Sequence, residues 1–374
     1  MKRAHRWPAL VLTTGFALSG CTGSPVVITS APAPPPSPTS PAPPPARSFT
    51  LTAGGDVLIH PALTDQAVAD GGAAGRDYLP LFSGIRETLK ADLSLCHLEV
   101  PLGKKEGPFF GYPSFLAPPE VAKGLVDVGY DSCSTASNHT LDRGVSAITT
   151  TLDAMDAVGL KHTGSFRTQE ESTAPLILDA NGVKVAQLSF TYGFNGIPLP
   201  QPWRANQINA SKILADARAA RAAGAEVVVL SVQWGNEYQH AATAEQKALA
   251  RQLLADPALD LIIGTHVHVV QPFEKIGNKW VAYGLGNEVA RHAEPRGVTE
   301  EGVVARFRFE QGPAGWSVVE ASYTPTLVEL GPPIRLVDLT RVPASERRTR
   351  AIERTEGIVF SMGAAEQGLV RGKP

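Results

Sequence analysis

Apolar and polar residues follow two different rhythms along the chain. Short apolar runs of strand length recur, and most are followed by a segment in which apolar residues have the spacing of one helix face. Strand patterns that alternate with helix patterns are typical of α/β folds, and we predict such a fold here. The predicted strands are 49–53, 92–98, 130–134, 183–190, 226–232, 259–263, 280–285, 303–309 and 316–323.

Three segments between these runs are predicted to be helical. Apolar residues recur at helical spacing from 145 to 155 and from 213 to 217. A third helix is predicted to begin at Thr243, because Thr243 and Gln246 have the spacing of a capping box. From Ile334 onward, Pro, Arg and Glu are mixed without a period. We expect this last stretch to be a weakly packed or peripheral arm.

The N-terminal residues have the pattern of an export signal. Positive charges precede an apolar run that is shorter than the roughly 20 residues that a membrane-spanning helix needs. The run ends in Leu-Ser-Gly directly before Cys21, which is similar to a bacterial lipobox. We predict a signal peptide at 1–20 and a lipid on Cys21 that anchors the protein to the outer face of the cell membrane. The alternative is an ordinary signal peptide with a nearby cysteine.

Residues 21–47 contain the lipidated cysteine and then a stretch of Pro, Ala, Ser and Thr. Such a composition buries too little apolar surface to fold, and its prolines favour an extended, semi-rigid spacer. We therefore place the folded domain at 48–330 and a C-terminal extension at 331–374. The protein is expected to be exported and tethered through its lipid.

Net charge and cysteine content indicate which partners and which cysteine pairings are possible. The net charge of −2 gives no basic footprint for nucleic acid, so no nucleic-acid partner is expected. Apart from Cys21, the chain has only Cys96 and Cys133. These two are either buried thiols on strands or a disulfide, which an exported protein permits.

Polar residues of metal-binding types follow several of the predicted strands. The carboxyl ends of strands in an α/β sheet face one crevice, so these side chains are expected to converge there. Asp, Glu, Asn and His together suit ions such as zinc, manganese or iron. Each group alone has a simpler explanation, such as a turn, a solvated loop or two surface histidines. The candidates are Asp56, His60, His97, Glu99, Asn138, His139, Asp142, Gln233, Glu237, His266 and His268.

Six ordered blocks between Leu51 and Asn287 resemble a known family. They read GGDVLIH, ADLSLCHLEVPL, SNHTLDRG, VVVLSVQWGNEY, DLIIGTHVHVVQPFE and VAYGLGN. This series resembles CapA, the poly-γ-glutamate capsule synthesis family, which is similar to calcineurin-like metallophosphoesterases. The resemblance implies a four-layer α-β-β-α sandwich whose strand ends bind one or two divalent ions of manganese, zinc or iron.

The resemblance also implies roles for individual residues. Asp56 takes the first metal-ligand position, Glu99 that of the bridging carboxylate and Asn138 that of the ligand asparagine. His266 and His268 match the paired late histidines of the family. The implied catalytic candidates are His139, which is placed near a leaving group, and Asp142. The role of Asp142 and that of Glu237 stay unassigned.

The chain departs from the family pattern at two positions. The family usually has Asn at the place of His97, and His at the place of Gln233. Since an amide is a poorer ligand for a transition metal than an imidazole, one metal position is expected to be weak or empty. His97 and His60 are the alternatives that would compensate.

Three functions are compatible with these features. The first is an envelope protein of the CapA type that acts, with a metal pocket, in the synthesis or export of poly-γ-glutamate or a related anionic polymer. Its partners would be the membrane, the polymer and the capsule machinery. The second is a metal-dependent hydrolase, phosphoesterase-like, that acts on an envelope ester or amide. The third is a binding module with a degenerate site.

Overall fold

The computed structural model describes residues 46–374 apart from 293, and before them only the isolated positions 15, 17, 19–21, 23, 24 and 27. The chain divides into two units, 1–45 and 46–374, and the second contains the folded domain. The predicted signal peptide and linker lie mostly outside the described residues. None of the helices in the described part is both long and apolar enough to cross a membrane.

Two β-sheets form the centre of the domain. The first sheet has the order β14-β13-β12-β1-β2-β3-β4, with β11 beside β1 and β15 beside β13. Its strands are β1 Ser48–Val57, β2 Leu93–Leu98, β3 Ser132–Ser134, β4 Lys161–Thr163, β11 Asn287–Val289, β12 Glu301–Gly312, β13 Gly315–Glu329, β14 Arg335–Asp338 and β15 Leu369–Arg371. The second sheet has the order β5-β6-β7-β8-β10-β9. Its strands are β5 Leu176–Ala180, β6 Val183–Thr191, β7 Val227–Gln233, β8 Leu261–Thr265, β9 Phe273–Ile276 and β10 Lys279–Ala282.

The described part of the chain also contains eight α-helices. They are α1 Pro61–Gly71, α2 Leu79–Phe82, α3 Glu120–Val128, α4 Gly144–Ala157, α5 Gln169–Thr173, α6 Ala210–Ala222, α7 Ala244–Leu254 and α8 Glu346–Val359. Helix α7 begins with the predicted capping box. Thr243 Oγ1 accepts from the Gln246 backbone N–H at 3.1 Å, and Gln246 Oε1 accepts from the Thr243 N–H at 2.9 Å. This local prediction is confirmed, because both partners lie within one helical turn.

The two sheets pack face to face between layers of helices. Adjacent residues of β7 show the arrangement, because successive side chains of a strand point to opposite faces. Val229 packs between the sheets with Leu51 and Phe307, whereas Val228 packs against α6 and α7. Helices α1, α3 and α4 cover the outer face of the first sheet, for example through Leu125. The predicted α/β class and four-layer α-β-β-α arrangement are therefore confirmed.

The C-terminal stretch is part of this packing, and the prediction of a weakly packed arm from Ile334 is wrong. Strands β14 and β15 both pair with β13. Helix α8 buries Ala351, Thr355 and Val359, which are four residues apart and two of which are small or polar. Arg347 and Arg354 also form ion pairs with the buried carboxylate of Glu301. The sequence pattern did not predict this helix, because its buried face contains few large apolar residues.

A disulfide joins Cys96 of β2 to Cys133 of β3. The two residues are directly paired in the register of these parallel strands, with their Cα atoms 4.4 Å apart. Both side chains are buried. The structure thus selects the second of the two alternatives that the sequence left open. The bond ties together the two strands that lead to Glu99 and Asn138.

Candidate metal centre

The candidate residues lie where parallel strands of the two sheets end. Asp56 is near the end of β1, Glu99 directly follows β2, and Gln233 is the last residue of β7. His266 and His268 lie in the turn after β8. The side chains of all five are buried. The packing of two sheets therefore brings together residues that lie far apart in the chain.

Asp56 shapes the turn that contains the two late histidines. Its carboxylate accepts the backbone N–H of His266, at 3.0 Å to Oδ1 and 3.2 Å to Oδ2. His266 and His268 have φ values of 92° and 58°. Residues other than glycine rarely adopt such φ values, because they cost free energy. They persist only where the surrounding structure enforces them. The buried carboxylate supplies part of that enforcement.

Three side chains have ligand atoms close enough for one ion. Atoms of Glu99, His266 and His268 lie within 4.8 Å of one another. Nε2 of His268 is 3.7 Å from Oε1 of Glu99, and its Nδ1 is 3.0 Å from Oδ1 of Asn287 and 3.5 Å from Oδ2 of Asp56. A hydrogen bond from Nδ1–H to Asn287 leaves the Nε2 lone pair facing Glu99. Outer partners of this kind commonly orient metal-binding histidines.

Several ligand atoms at this place have no hydrogen-bond partner within the described residues. They are Nε2 of His97, Oε2 of Glu99 and Nδ1 of His266, and all three are buried. Buried polar atoms nearly always have a hydrogen-bond partner. Three buried atoms of metal-binding type without a partner therefore indicate that a further group, such as a metal ion, binds here. Imidazole and carboxylate donors suit a divalent transition ion. The residues therefore fit the metal that the sequence resemblance implies.

The electrostatics of the centre favour a positive charge. Burial opposes charge on His268, but the carboxylates of Glu99 and Asp56 outweigh it and raise the pKa of His268 to about 10. Burial also opposes charge on Asp56, but His268 and His97 lower its pKa overall. Burial raises the pKa of Glu99 well above its ordinary value, and neighbouring Asp56 adds to the effect. Burial lowers the pKa of His266 to about 3. The carboxylates of Glu99 and Asp56 stabilise a positive charge on His268, and a bound divalent ion would supply the same positive charge.

Gln233 is at the centre but is fully engaged in hydrogen bonds. Its Oε1 accepts from the Asn138 N–H at 2.6 Å and from Thr191 Oγ1 at 2.7 Å. Its Nε2 donates to Asn138 Oδ1 at 2.9 Å and to Glu99 Oε1 at 3.2 Å. A side-chain amide has two donor hydrogens and two acceptor positions, so its capacity is used. Gln233 therefore holds Asn138 and Glu99 in place.

His139 and Asp142 form a pair at the edge of the centre. Nδ1 of His139 is 2.7 Å from Oδ2 of Asp142, which also accepts the Phe115 N–H at 2.7 Å. Asp142 thus orients the ring of His139. His139 lines a cavity of about 930 Å³, together with His268 and the exposed Glu237. This geometry matches a proton donor that faces a bound substrate more closely than a metal ligand.

His60 belongs to the wall of this cavity and not to the metal cluster. Its ring packs edge-on against Phe115 at 5.4 Å and lies 4.8 Å from the ring of His292. Its Nδ1 lies 3.2 Å from both the Leu58 carbonyl oxygen and the Arg291 backbone nitrogen. Of the two histidines that were alternatives for the missing ligand, only His97 reaches the centre.

Several residues of the site could not be recognised from the sequence. Asn287 was in a block that supported the resemblance, but nothing gave it a role. Tyr192, whose ring lies 4.4 Å from that of His266, and Asn195, which accepts from Asn138 Nδ2 at 3.2 Å, carry no local signal. Ser134 ends β3 and bonds His97. A separate cavity of about 590 Å³, lined by Trp203 among others, contains none of the candidate residues.

Residues 50–292 match the family described as bacterial capsule synthesis protein PGA_cap. The chain belongs to the PGA_cap family. The matched span includes every candidate site residue except Cys21, and it covers both sheets up to β11. The family relationship inferred from the six sequence blocks is confirmed.

Two curated relatives of this PGA_cap protein have names that refer to capsule polymer. The capsule biosynthesis protein CapA of Bacillus anthracis is 28% identical over 175 residues, which are 46% of this chain and 42% of that protein. The PGA biosynthesis protein CapA of Bacillus subtilis (strain 168) is 27% identical over 202 residues, 52% of this chain and 51% of that protein. The chain thus spans about half the length of the curated relatives it matches.

Solved structures similar to this PGA_cap protein include a phosphoesterase and a nucleotidase. One is the calcineurin-like phosphoesterase YfkN from Bacillus subtilis, with a TM-score of 0.44 and 16% identity, covering 83% of this chain and 97% of that one. Another is the Haemophilus influenzae NAD nucleotidase, with a TM-score of 0.45 and 11% identity, covering 88% and 65%. The four-layer arrangement of this chain follows from its own strand pairing and core.

Proposed function

We propose that this protein is a lipid-anchored envelope protein of the CapA type, whose metal-loaded pocket acts in the synthesis or export of poly-γ-glutamate or a related anionic polymer. One observation carries the proposal. In a chain of the capsule synthesis family, buried ligand atoms of Glu99, His266 and His268 lie within 4.8 Å of one another beside Asp56.

The cavity beside these residues supports an anionic polymer as its occupant. Its volume of about 930 Å³ is within the usual range of small-molecule pockets and fits a short polymer segment. Arg291 and Arg296 contribute to its wall, which also contains Glu237 and Glu294. The Arg296 guanidinium lies 3.9 Å from the centre of the Tyr238 ring, which orients it. Guanidinium groups bind carboxylates through charge and paired hydrogen bonds.

The residues of the centre also define a chemistry. Asp56, Glu99, His266 and His268 would hold the ion, and Asn138 lies beside them. Such an ion polarises a carbonyl or phosphoryl oxygen and lowers the pKa of a bound water. His139, oriented by Asp142, would deliver a proton to the oxygen or nitrogen that leaves.

Membrane anchoring through Cys21 is the second part of the proposal. Cys21 is exposed and unbonded, and it stands at the end of the apolar N-terminal run. In the expression host, Cys21→Ser is expected to move the protein from the membrane fraction to the soluble fraction. The control variant Ser24→Ala is expected to stay in the membrane fraction. Retention of Cys21→Ser in the membrane would contradict the anchor.

A metal-dependent hydrolase of envelope esters or amides is the second candidate. The His139–Asp142 pair favours it, because a protein that only binds polymer needs no oriented proton donor. The two functions are separated by His139→Asn. In a capsule-forming host, an envelope role without turnover predicts normal polymer from His139→Asn and loss of polymer from Asp56→Asn. A hydrolase predicts that both variants lose turnover of ester, amide or polyglutamate substrates, while His139→Asn keeps its metal. If both variants produce wild-type amounts of polymer and no hydrolysis is detected, only the third function, a binding module with a degenerate site, remains.

A further inference from the structure

His97 is a buried histidine whose outer nitrogen has no partner. The side chain is 2% exposed, and Nε2 forms no hydrogen bond within the described residues. Nε2 lies 4.0 Å from Oδ1 of Asp56. A buried imidazole with an unpartnered nitrogen beside a carboxylate has the chemistry of a metal ligand.

The neighbouring serine determines which nitrogen of His97 carries the proton. Ser134 Oγ is 2.8 Å from Nδ1 of His97 and 3.3 Å from the carbonyl oxygen of Cys96. A hydroxyl has one hydrogen, and the carbonyl can only accept it. Ser134 therefore donates to Cys96 and accepts from Nδ1–H of His97. This leaves the lone pair on Nε2, on the side of Asp56.

The distances allow His97 to share an ion with Asp56. Two atoms bound to one ion at about 2.1 Å each are at most about 4.2 Å apart. The separation of 4.0 Å between His97 Nε2 and Asp56 Oδ1 satisfies this limit. Asp56 in turn lies beside the cluster, with its Oδ2 3.5 Å from Nδ1 of His268. Gln233, by contrast, has no free donor or acceptor left for an ion.

We propose that His97 is a metal ligand, which together with Asp56 extends the cluster of Glu99, His266 and His268 into one tight site for a single transition-metal ion. The position beside Gln233 is the weak one. Imidazole and carboxylate ligands together select zinc, manganese or iron over magnesium and calcium, which prefer oxygen ligands. The inference rests on the metal pocket of the proposed function and adds His97 to its ligands.

The test is metal binding, measured without any enzyme assay. Full-length protein freed of metal with a chelator is titrated calorimetrically with Zn²⁺ and, separately, followed by the visible absorption of bound Co²⁺. His97→Asn is expected to lower the affinity of the tight site at least tenfold and to change the Co²⁺ spectrum. Ser134→Ala, which frees the ring tautomer, is expected to weaken binding less. The matched control is His162→Asn, because His162 lies on β4 of the same sheet and bonds Asp156 instead.

Further variants keep the outcome decisive. Wild-type affinity and an unchanged Co²⁺ spectrum in His97→Asn overturn the inference. If His97→Asn does not fold by circular dichroism, Ser134→Ala decides, and wild-type binding in that variant overturns it. Asp56→Asn separates the inference from the pocket itself. If Asp56→Asn loses the metal and His97→Asn does not, the pocket stands and His97 is no ligand, whereas wild-type binding by Asp56→Asn contradicts the whole metal centre.

Discussion

The carboxylate of Asp56 accepts the backbone N–H of His266 across 210 positions of the chain, at 3.0 and 3.2 Å. This contact joins the end of the first sheet's central strand to the turn after β8 in the second sheet. It also holds the turn in the left-handed backbone conformation that presents His266 and His268. The geometry of the metal centre therefore depends on how the two sheets are packed.

The buried acid Glu288, which bonds the residue next to Asp56, makes the stability of the fold depend on pH. Burial raises the pKa of Glu288 from 4.5 to about 7, although Tyr130 and the Gly55 N–H bond its carboxyl group. Between those two values the unfolded chain loses the proton and the folded chain keeps it, so stability falls as pH rises. The loss is about 3 kcal/mol. Glu288→Gln, which still accepts from Tyr130, is expected to remove this component.

Urea unfolding of the two proteins from pH 4.5 to 8 measures the difference. The gain from Glu288→Gln over the wild type should grow through this window and level off above pH 7. The exposed Glu353→Gln on α8 serves as a control that should keep the wild-type pH profile. Parallel profiles for the wild type and Glu288→Gln would show that Glu288 ionises normally in the fold.

The Cys96–Cys133 disulfide is expected to stabilise the domain. It closes a loop with a sequence separation of 37, for which restriction of the unfolded chain contributes up to about 4 kcal/mol. The double variant Cys96→Ala/Cys133→Ala should therefore unfold at a lower denaturant concentration. Because the bond links β2 to β3, metal affinity should fall as well. Treatment with a reducing agent should destabilise the wild type and leave the double variant unaffected, and equal midpoints for both oxidised proteins would contradict the prediction.

Gln233→His is expected to raise bound metal from about one ion toward two per chain. An imidazole brings a ligand nitrogen to a place where the amide is occupied by hydrogen bonds, so the affinity of the weak position should rise tenfold or more. The variant gives up the acceptor for Asn138 and Thr191, so we also expect some loss of stability. Elemental analysis after dialysis measures the metal content.

The exposed Gln311→His is the control for histidine binding metal nonspecifically. Two tightly held ions in the wild type would show that the departure at Gln233 has no effect on loading. If Gln233→His gains metal yet hydrolyses no ester or polyglutamate substrate, the result favours the envelope role over the hydrolase.

Asp142→Asn is expected to slow any hydrolysis about 10²- to 10⁴-fold, while metal content stays at the wild-type value. The carboxylate accepts from Nδ1–H of His139 at 2.7 Å, and an amide holds this ring less well. Steady-state kinetics should show the loss mainly in kcat, because Asp142 acts through His139. His139→Asn should be equally slow, and the double variant no slower. A larger loss in the double variant would mean that the two residues act independently.

Local features of the sequence determined the class of fold. Residues 226–232 are predicted to form a strand because five of the seven side chains are apolar, and β7 is buried on both faces. The capping box at Thr243 needed only one helical turn. The ordered blocks around Asp56 and His266 placed ligand types directly after strands. Each of these features depends on neighbours in the chain, so pattern and resemblance sufficed.

Only the tertiary structure decided the contacts between distant segments. The pairing of Cys96 with Cys133 depends on the register of β2 and β3. The packing of α8 depends on ion pairs with Glu301 and on a face of small residues. His97 turns toward the metal centre because Ser134 on the next strand orients its ring. A hydrogen bond across strands is set by register and sheet packing, and neither is encoded in the spacing of residues along one strand.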